Sequence, residues 1–349
     1  MMRYFWSILV LTLPLLGQST TTTYQTDVNG RRVASATTEK TAEGTTTSRL
    51  KATDGKQVPL DETSERVIRQ DANGRLVEKT IKKYDLNGRL AGTDKVMVEE
   101  TVLPGGGKTV KETISQQDLN GSFKEVERRV AETRVAGQTS TTNVTVDHAS
   151  VNGGFSPSEK SLIVTTGAAG KQQTTAVVER LDANGRFRPV SREETSVTAT
   201  GPTVVSNTAG YELDATGRLQ LARQAAVTST KRPDGGVSTE TNRYSAESAG
   251  RPDVGAPKMR MQEQETVERK MAPDGSFTET RYLRSALPSD PNKLGAAQKV
   301  SETVCTGKCA DGAAPLTSAT SAAPATPASG KQDAAKGAAK QDAKGKNRP

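Results

Sequence analysis

The single histidine of the chain lies in Asp147-His148-Ala149-Ser150, an acid, a base and a hydroxyl within four residues. Nucleophilic catalysis needs the base held between nucleophile and orienting acid. In an extended chain neighbouring side chains point to opposite faces, so Asp147 turns away from His148 and no triad forms. The same alternation separates Glu99 from Glu100 and Glu193 from Glu194. Those carboxylates are expected to pair across strands with cations such as Arg128, Arg129 and Arg192. Acids from different strands can meet on one face, as in glycosidases, but aromatics make up only 3% of the chain and offer no sugar platform. Calcium wants six to eight oxygens, and each Asp-bearing turn offers one carboxylate. Pro104-Gly105-Gly106-Gly107-Lys108 lacks both the spacing and the following helix of a phosphate loop. Cys305 and Cys309 lack the His of a haem-attachment motif and the further ligands of a zinc site. They suit a local disulfide, with Gly307 folding the chain back, or a free pair ending the last strand. No catalytic, cofactor or metal residue is expected, and the chain is read as not an enzyme.

The elements that carry these residues announce themselves through turns. Asp-x-Asn-Gly-Arg occurs at Asp27–Arg31, Asp71–Arg75, Asp85–Arg89 and Asp182–Arg186, with variants at Asp118–Gly121 and Asp214–Arg218. Asp at the first position and Gly at the fourth suit a type I turn, the Asp side chain bonding backbone N–H groups ahead of it. Gly then takes positive φ and closes a hairpin through a bulge. Gly88, Gly121, Gly153, Gly185 and Gly217 step by 33, 32, 32 and 32 residues, and Gly105, Gly137, Gly170, Gly201 and Gly235 fall between them. Asp71, Gly74, Asp85, Gly88, Asp118, Gly121, Asp182, Gly185, Asp214 and Gly217 are therefore taken as structural turn positions. Between turns Thr and Val dominate, as pleated strands favour. A turn every 16 residues or so leaves strands of about 12 residues, or ~40 Å. The fold class is all-β, a long antiparallel meander of hairpins with a period of about 32 residues.

Composition sets the limits. Of 349 residues only 33% are apolar, which suggests an extended sheet solvated on much of both faces. Residues 1–19 read as an export signal: Arg3, the apolar run Tyr4–Leu16, then small residues. An uncleaved anchor is the alternative. Residues 20–88 carry irregular turns, residues 89–250 the regular repeat, and residues 251–309 further strands interrupted by Pro/Gly loops. Leu287–Gly295 is one such loop, and Ala296–Val304 is the last strand expected. Residues 310–349 are rich in Ala, Lys and Pro and are read as disordered. This tail has five lysines and one arginine against three aspartates, a net +3 within the total of +8. It offers a weak attraction to polyanions.

Tyr84-Asp85-Leu86-Asn87-Gly88-Arg89-Leu90 resembles the core of the YD repeats of Rhs-type secreted bacterial proteins, and Tyr211–Leu219 is a looser match. The resemblance implies a secreted bacterial β-repeat protein and brings no activity with it. The expected location is the periplasm, cell surface or extracellular space. The expected function is a non-catalytic structural, adhesive or scaffolding role, self-associating through free sheet edges or binding envelope polymers. A polymer- or glycan-binding module is the alternative. An outer-membrane β-barrel ranks behind both, because Ser122–Arg134 carries charges on both alternating faces and no aromatic girdle is evident.

Overall fold

The computed structural model describes residues 19–26, 31–41, 44–53, 56–150, 152–247, 258–307 and 309. Residues 1–18, the turn at 27–30, Gly55, the loop at 251–257 and the basic tail beyond Cys309 lie outside them. Ser19, assigned above to the export signal, already begins a strand.

The first strands are β1 (Ser19–Thr26), β2 (Arg32–Lys40), β3 (Gly44–Thr53), β4 (Lys56–Asp71), β5 (Gly74–Tyr84) and β6 (Leu90–Val102). The regular repeat follows as β7 (Lys108–Gln117), β8 (Phe123–Ala136), β9 (Thr139–Ala149), β10 (Phe155–Thr166), β11 (Lys171–Leu181) and β12 (Phe187–Thr200). It continues as β13 (Thr203–Leu213), β14 (Leu219–Lys231) and β15 (Val237–Ala246). The chain ends in β16 (Met259–Met271), β17 (Phe277–Leu287), β18 (Asp290–Leu294) and β19 (Gln298–Gly307). Strands β6 to β17 run 10 to 14 residues, as the turn spacing predicts. In the irregular N-terminal region β1 and β2 are shorter, but β4 reaches 16 residues. The segment expected as a loop at Leu287–Gly295 contains the short strand β18.

Up to β18 each strand pairs antiparallel with the next, which is the meander. The ends of the meander also pair with each other. β18 pairs only with β17, at Ala286 and Leu287, so β17 goes on to pair with β19. β19 then pairs with β1 in the register Thr21↔Cys305 and Thr23↔Thr303. Eighteen of the nineteen strands thus close into a barrel. The meander expected above stands, and it closes on itself. Closure satisfies the N–H and C=O groups that two free edges would expose, and it removes the edges that self-association would have used.

Five of the turns at one rim of the barrel share one geometry. At Asp85–Arg89, Gly88 N–H donates to the Asp85 carbonyl (3.0 Å) and Asp85 N–H to the Arg89 carbonyl (2.8 Å). The Asp85 carboxylate accepts from the N–H groups of Asn87 and Arg89, both at 2.8 Å. The turns at Asp118, Asp182 and Asp214 repeat these bonds, and Ser150–Gly154 repeats the backbone pair. The backbone N–H of Ser122, of Arg186 and of Arg218 is the main cause that holds the carboxyls of Asp118, Asp182 and Asp214, respectively, below the usual aspartate range. A carboxylate whose folded pKa is depressed stabilises the fold above its unfolded value, about 3.9, and loses that contribution as pH falls through the folded value. Thermal unfolding followed from pH 7 downward should therefore show the midpoint holding until about pH 4 and declining below it. Replacing Asp118, Asp182 and Asp214 together by Asn should flatten that decline.

Bulges recur with the same period. Val126, Ser158, Val190 and Ala222 are each the extra residue where a strand's register shifts against its partner. Each bulge resets the alternation of faces. Beyond it, Glu127, Arg129, Ala131 and Thr133 share one face with Val77, Val96, Val146 and Val178, reading across the pairings. Those four valines are 5–9% exposed, whereas Val130 and Leu162 on the other face are 38% and 44% exposed. In a closed cylinder inward side chains converge and shield one another, so the valine face is the lumen wall. No large side chain among the described residues is fully buried. The centre of the barrel is therefore not a packed core, in keeping with the aqueous interior that 16 to 18 strands leave.

Candidate functional site

The lumen wall is built from Thr and Val with a ladder of opposite charges between strands. Lys79 Nζ lies 3.1 Å from Glu65, Arg180 Nε 2.9 Å from Glu159, and Arg269 Nη2 2.8 Å from Glu279. Arg223 joins Glu193 (3.5 Å) and Glu212 (3.2 Å). Glu265, only 8% exposed, accepts from Arg243 at 2.8 Å and forms an ion pair with Arg281 at 2.9 Å, and Arg243 also pairs with Glu263. Partners on the ladder come from β4 and β5, β10 and β11, β12 to β14, and β15 to β17. Glu100 and Glu193 meet cations of other strands as expected, here Lys108 and Arg223, whereas Arg128 and Arg192 pair with Glu125 and Glu194 of their own strands. Each acid with a cation beside it leaves the wall polar but locally neutral.

The residues singled out for chemistry are dispersed. His148 lies on the lumen face near the rim, its Nδ1 3.5 Å from Glu127, while Asp147 points outward. Glu100 faces inward beside Lys108 (3.5 Å), and Glu99 faces outward beside Arg69 (3.8 Å). Glu194 pairs with Arg192 and accepts the Tyr211 hydroxyl at 3.3 Å. Among the described residues no three His, Cys, Asp or Glu side chains gather as metal ligands. An open hollow of about 580 Å³ spans β11 to β15 on the face opposite the charge ladder, with Gln173, Glu194, Asn207, Gln224 and Tyr244 among its lining.

The seam has its own fastening. Cys305 and Cys309 form a disulfide with Cα atoms 6.2 Å apart. Gly307, at φ 90°, turns the chain back, and Cys309 N–H donates to its carbonyl at 3.0 Å. Cys305 is paired on both sides, with Thr21 of β1 and Phe277 of β17, and is 2% exposed. Reduction, or Cys309→Ser, should free the end of β19. Hydrogen exchange at Thr303–Thr306 should then speed up, with little change at β9 to β12.

One feature escaped the sequence reading. Phe123, Phe155 and Phe187 open β8, β10 and β12, 32 residues apart, on the outer face. Each lies under a cation two strands back: Lys95 at 4.7 Å, Arg128 at 3.9 Å and Lys160 at 4.3 Å from the ring centroid. The period was visible in the sequence, but the aromatic count was too low to draw attention to it.

Closure also changes what the wall can do. The reading of this chain as no enzyme rested on neighbouring acids facing opposite ways and on the lack of a sugar platform. A closed lumen brings acids of many strands to one interior, so that reading is withdrawn. The barrel by itself does not show an activity. The structural, adhesive or scaffolding role fails for a related reason, because its free sheet edges do not exist. Among the described residues no helix is long and apolar enough to cross a membrane, which says nothing of strands.

No family model matches the chain, and no curated protein is similar to it. Solved structures similar to it include the Salmonella typhi OmpF complex with daunomycin, at 7% identity and a TM-score of 0.43, over 83% of this chain and 96% of that one. OmpT, an outer membrane protein of Vibrio cholerae, is similar at 8% identity and a TM-score of 0.43, over 83% and 97%. A bacterial polysaccharide outer membrane secretin is similar at 8% identity and a TM-score of 0.35, over 83% and 97%. The fold assignment rests on the strand pairing of the chain itself.

Proposed function

We propose that the chain is a cell-envelope β-barrel of the outer-membrane type, whose polar lumen is a water-filled passage for small polar solutes. The observation that carries this reading is the closing pair β1–β19, which turns the meander into a cylinder too wide for its side chains to fill. The alternating charges of the lining support a passage that admits either sign of small solute. The test is conductance across a planar bilayer after addition of the folded full chain from detergent. Stepwise, weakly ion-selective openings are expected. A folded barrel that produces none would remove the passage.

One observation favours a second reading. The outer face carries charges at mid-strand, among them Lys111, Glu132, Arg192 and Glu240. A lipid-facing Lys or Arg at the bilayer midplane costs about 2–4 kcal/mol. On this reading the barrel stands in water beside the membrane. Release of the native protein from envelope fractions by alkaline carbonate would favour it over the spanning barrel.

A further inference from the structure

The imidazole of His148 has a neighbour on each side that its own segment of sequence does not contain. Glu127 of β8 pairs with His148 in register, and so does Ser156 of β10. In-register partners share a face, with Cβ atoms about 5 Å apart. Glu127, His148 and Ser156 therefore form one row across three strands of the lumen wall, with the base in the middle. His148 Nδ1 lies 3.5 Å from Glu127 Oε2, and the other oxygen of Glu127 accepts from Arg129 Nε. With Nδ1 turned to β8, Nε2 is the nitrogen left for the β10 side. Ser156 is exposed, and its hydroxyl makes no hydrogen bond among the described residues. β11 adds a cation. Glu159, the next residue of β10 on this face beyond the bulge at Ser158, pairs in register with Arg180. Arg180 gives Nε to Glu159 at 2.9 Å, and its two Nη groups make no hydrogen bond among the described residues.

A base held between an acid and a hydroxyl is the arrangement of nucleophilic catalysis, which geometry defines and chain order does not. The resting hydroxyl is not bonded to the imidazole, and such bonds often tighten only when substrate is in place. We infer that Ser156, His148 and Glu127 hydrolyse small carboxylic esters at the mouth of the barrel. Ser156 Oγ attacks the ester carbonyl and passes its proton to His148 Nε2. Arg180 supplies a cation toward the oxygen that gains charge. The bond to the alcohol then breaks, and the alcohol leaves with the proton from His148. Water, deprotonated by the same imidazole, releases the acid and restores Ser156. Glu127 is a positioning residue, which orients the imidazole and stabilises its charged form. The surroundings set the substrate class. His148 is 55% exposed, and the wall beside the row carries Glu112, Arg129, Glu159 and Arg180. Those charged groups suit a short, soluble acyl group better than a long one. The inference needs the register of β8 to β11 and no open passage.

The test treats the folded full chain with a fluorophosphonate, which modifies a serine activated by a base, and locates the label by mass spectrometry. Labelling at Ser156 is expected, together with turnover of p-nitrophenyl acetate. Ser156→Ala should remove the label, and His148→Gln should slow labelling about a hundredfold. Glu127→Gln should slow it about tenfold or more, and Glu127→Asp should recover part of the loss, which a purely structural role would not give. Ser150→Ala, a serine of the same turn outside the row, should leave labelling unchanged. Circular dichroism confirms that each variant keeps its β signal, and the position of the label on the native chain decides if a variant does not fold. No label at Ser156, or no ester turnover, overturns the inference. A label on Ser156 that His148→Gln leaves at full rate also overturns it, because that serine would then be an ordinary exposed one. A chain that is labelled at Ser156 but does not conduct sinks the passage and leaves this site standing.

Discussion

Gly74→Ala should destabilise the barrel by about 3 kcal/mol, whereas Gly153→Ala should cost only about 1–2 kcal/mol. Both glycines end a turn, and both have positive φ, 155° and 82°. Their surroundings differ. A Cβ on Gly74 would sit 1.9 Å from the Glu100 carbonyl oxygen and 2.9 Å from its carbon, both backbone atoms of β6. Relief requires β5 and β6 to part where Gly74 pairs with Thr101, and that breaks ladder hydrogen bonds next to the clash. A Cβ on Gly153 would meet nothing within 4 Å, so only the left-handed backbone conformation resists it. Urea unfolding of the two variants beside the parent checks the contrast. Equal losses would mean that β6 moves aside freely, and the tight pairing at this turn would not be a constraint.

Gly74 and Gly88 show what the sequence could and could not convey. Asp71–Arg75 and Asp85–Arg89 spell one phrase but build two turns. At Asp85 three residues loop out and Gly88 takes the left-handed position. At Asp71 only Ala72 and Asn73 loop out, because Asp71 pairs directly with Gly74, and this turn belongs to the opposite rim. Turn residues specify a tight reversal, while the pairing of the strands that follow decides its size. The period, the strand lengths and the meander were legible because each depends on local chemistry repeated many times.

Closure was not legible. It joins Thr21 to Cys305 across most of the chain, and nothing in a Thr-rich segment names a partner so distant. Face assignment failed for a more local reason. Strict alternation along Ser122–Arg134 places Phe123, Glu125, Glu127 and Arg129 together. The bulge at Val126 instead sends Glu127 and Arg129 into the lumen and leaves Phe123, Glu125 and Arg128 outside. Arg128 can then reach both Glu125 and Phe155 on the outer face. Two or three such bulges, read from the 32-residue period, would have exposed both the outer row of Phe123, Phe155 and Phe187 and the charged lumen. The finding that charges occupy both faces survives the correction, and it is what separates the two readings of how this wall meets lipid.

Glu265→Ala should lower stability by about 2–3 kcal/mol and Glu265→Gln by about 1 kcal/mol. Glu265 is the carboxylate through which β15, β16 and β17 are tied, one oxygen taking Arg243 and the other Arg281. Removing it takes away one charge-assisted hydrogen bond and one ion pair, and it leaves Arg281 without its acid while Arg243 keeps Glu263. A fully buried pair broken this way loses about 3–5 kcal/mol. Here the arginines are about half exposed, at 46% and 50%, so water screens part of the loss and the lower range applies. Gln keeps one strong acceptor and adds a donor that meets an arginine, which explains its smaller but real effect. Arg281→Met should rescue part of the Ala variant, because it removes the stranded charge. A double-mutant cycle on Glu265 and Arg281, read from urea midpoints, measures the coupling, expected at about 1 kcal/mol or more. A coupling near zero would mean that the lumen ladder is a solvated lining and contributes little to holding the barrel closed.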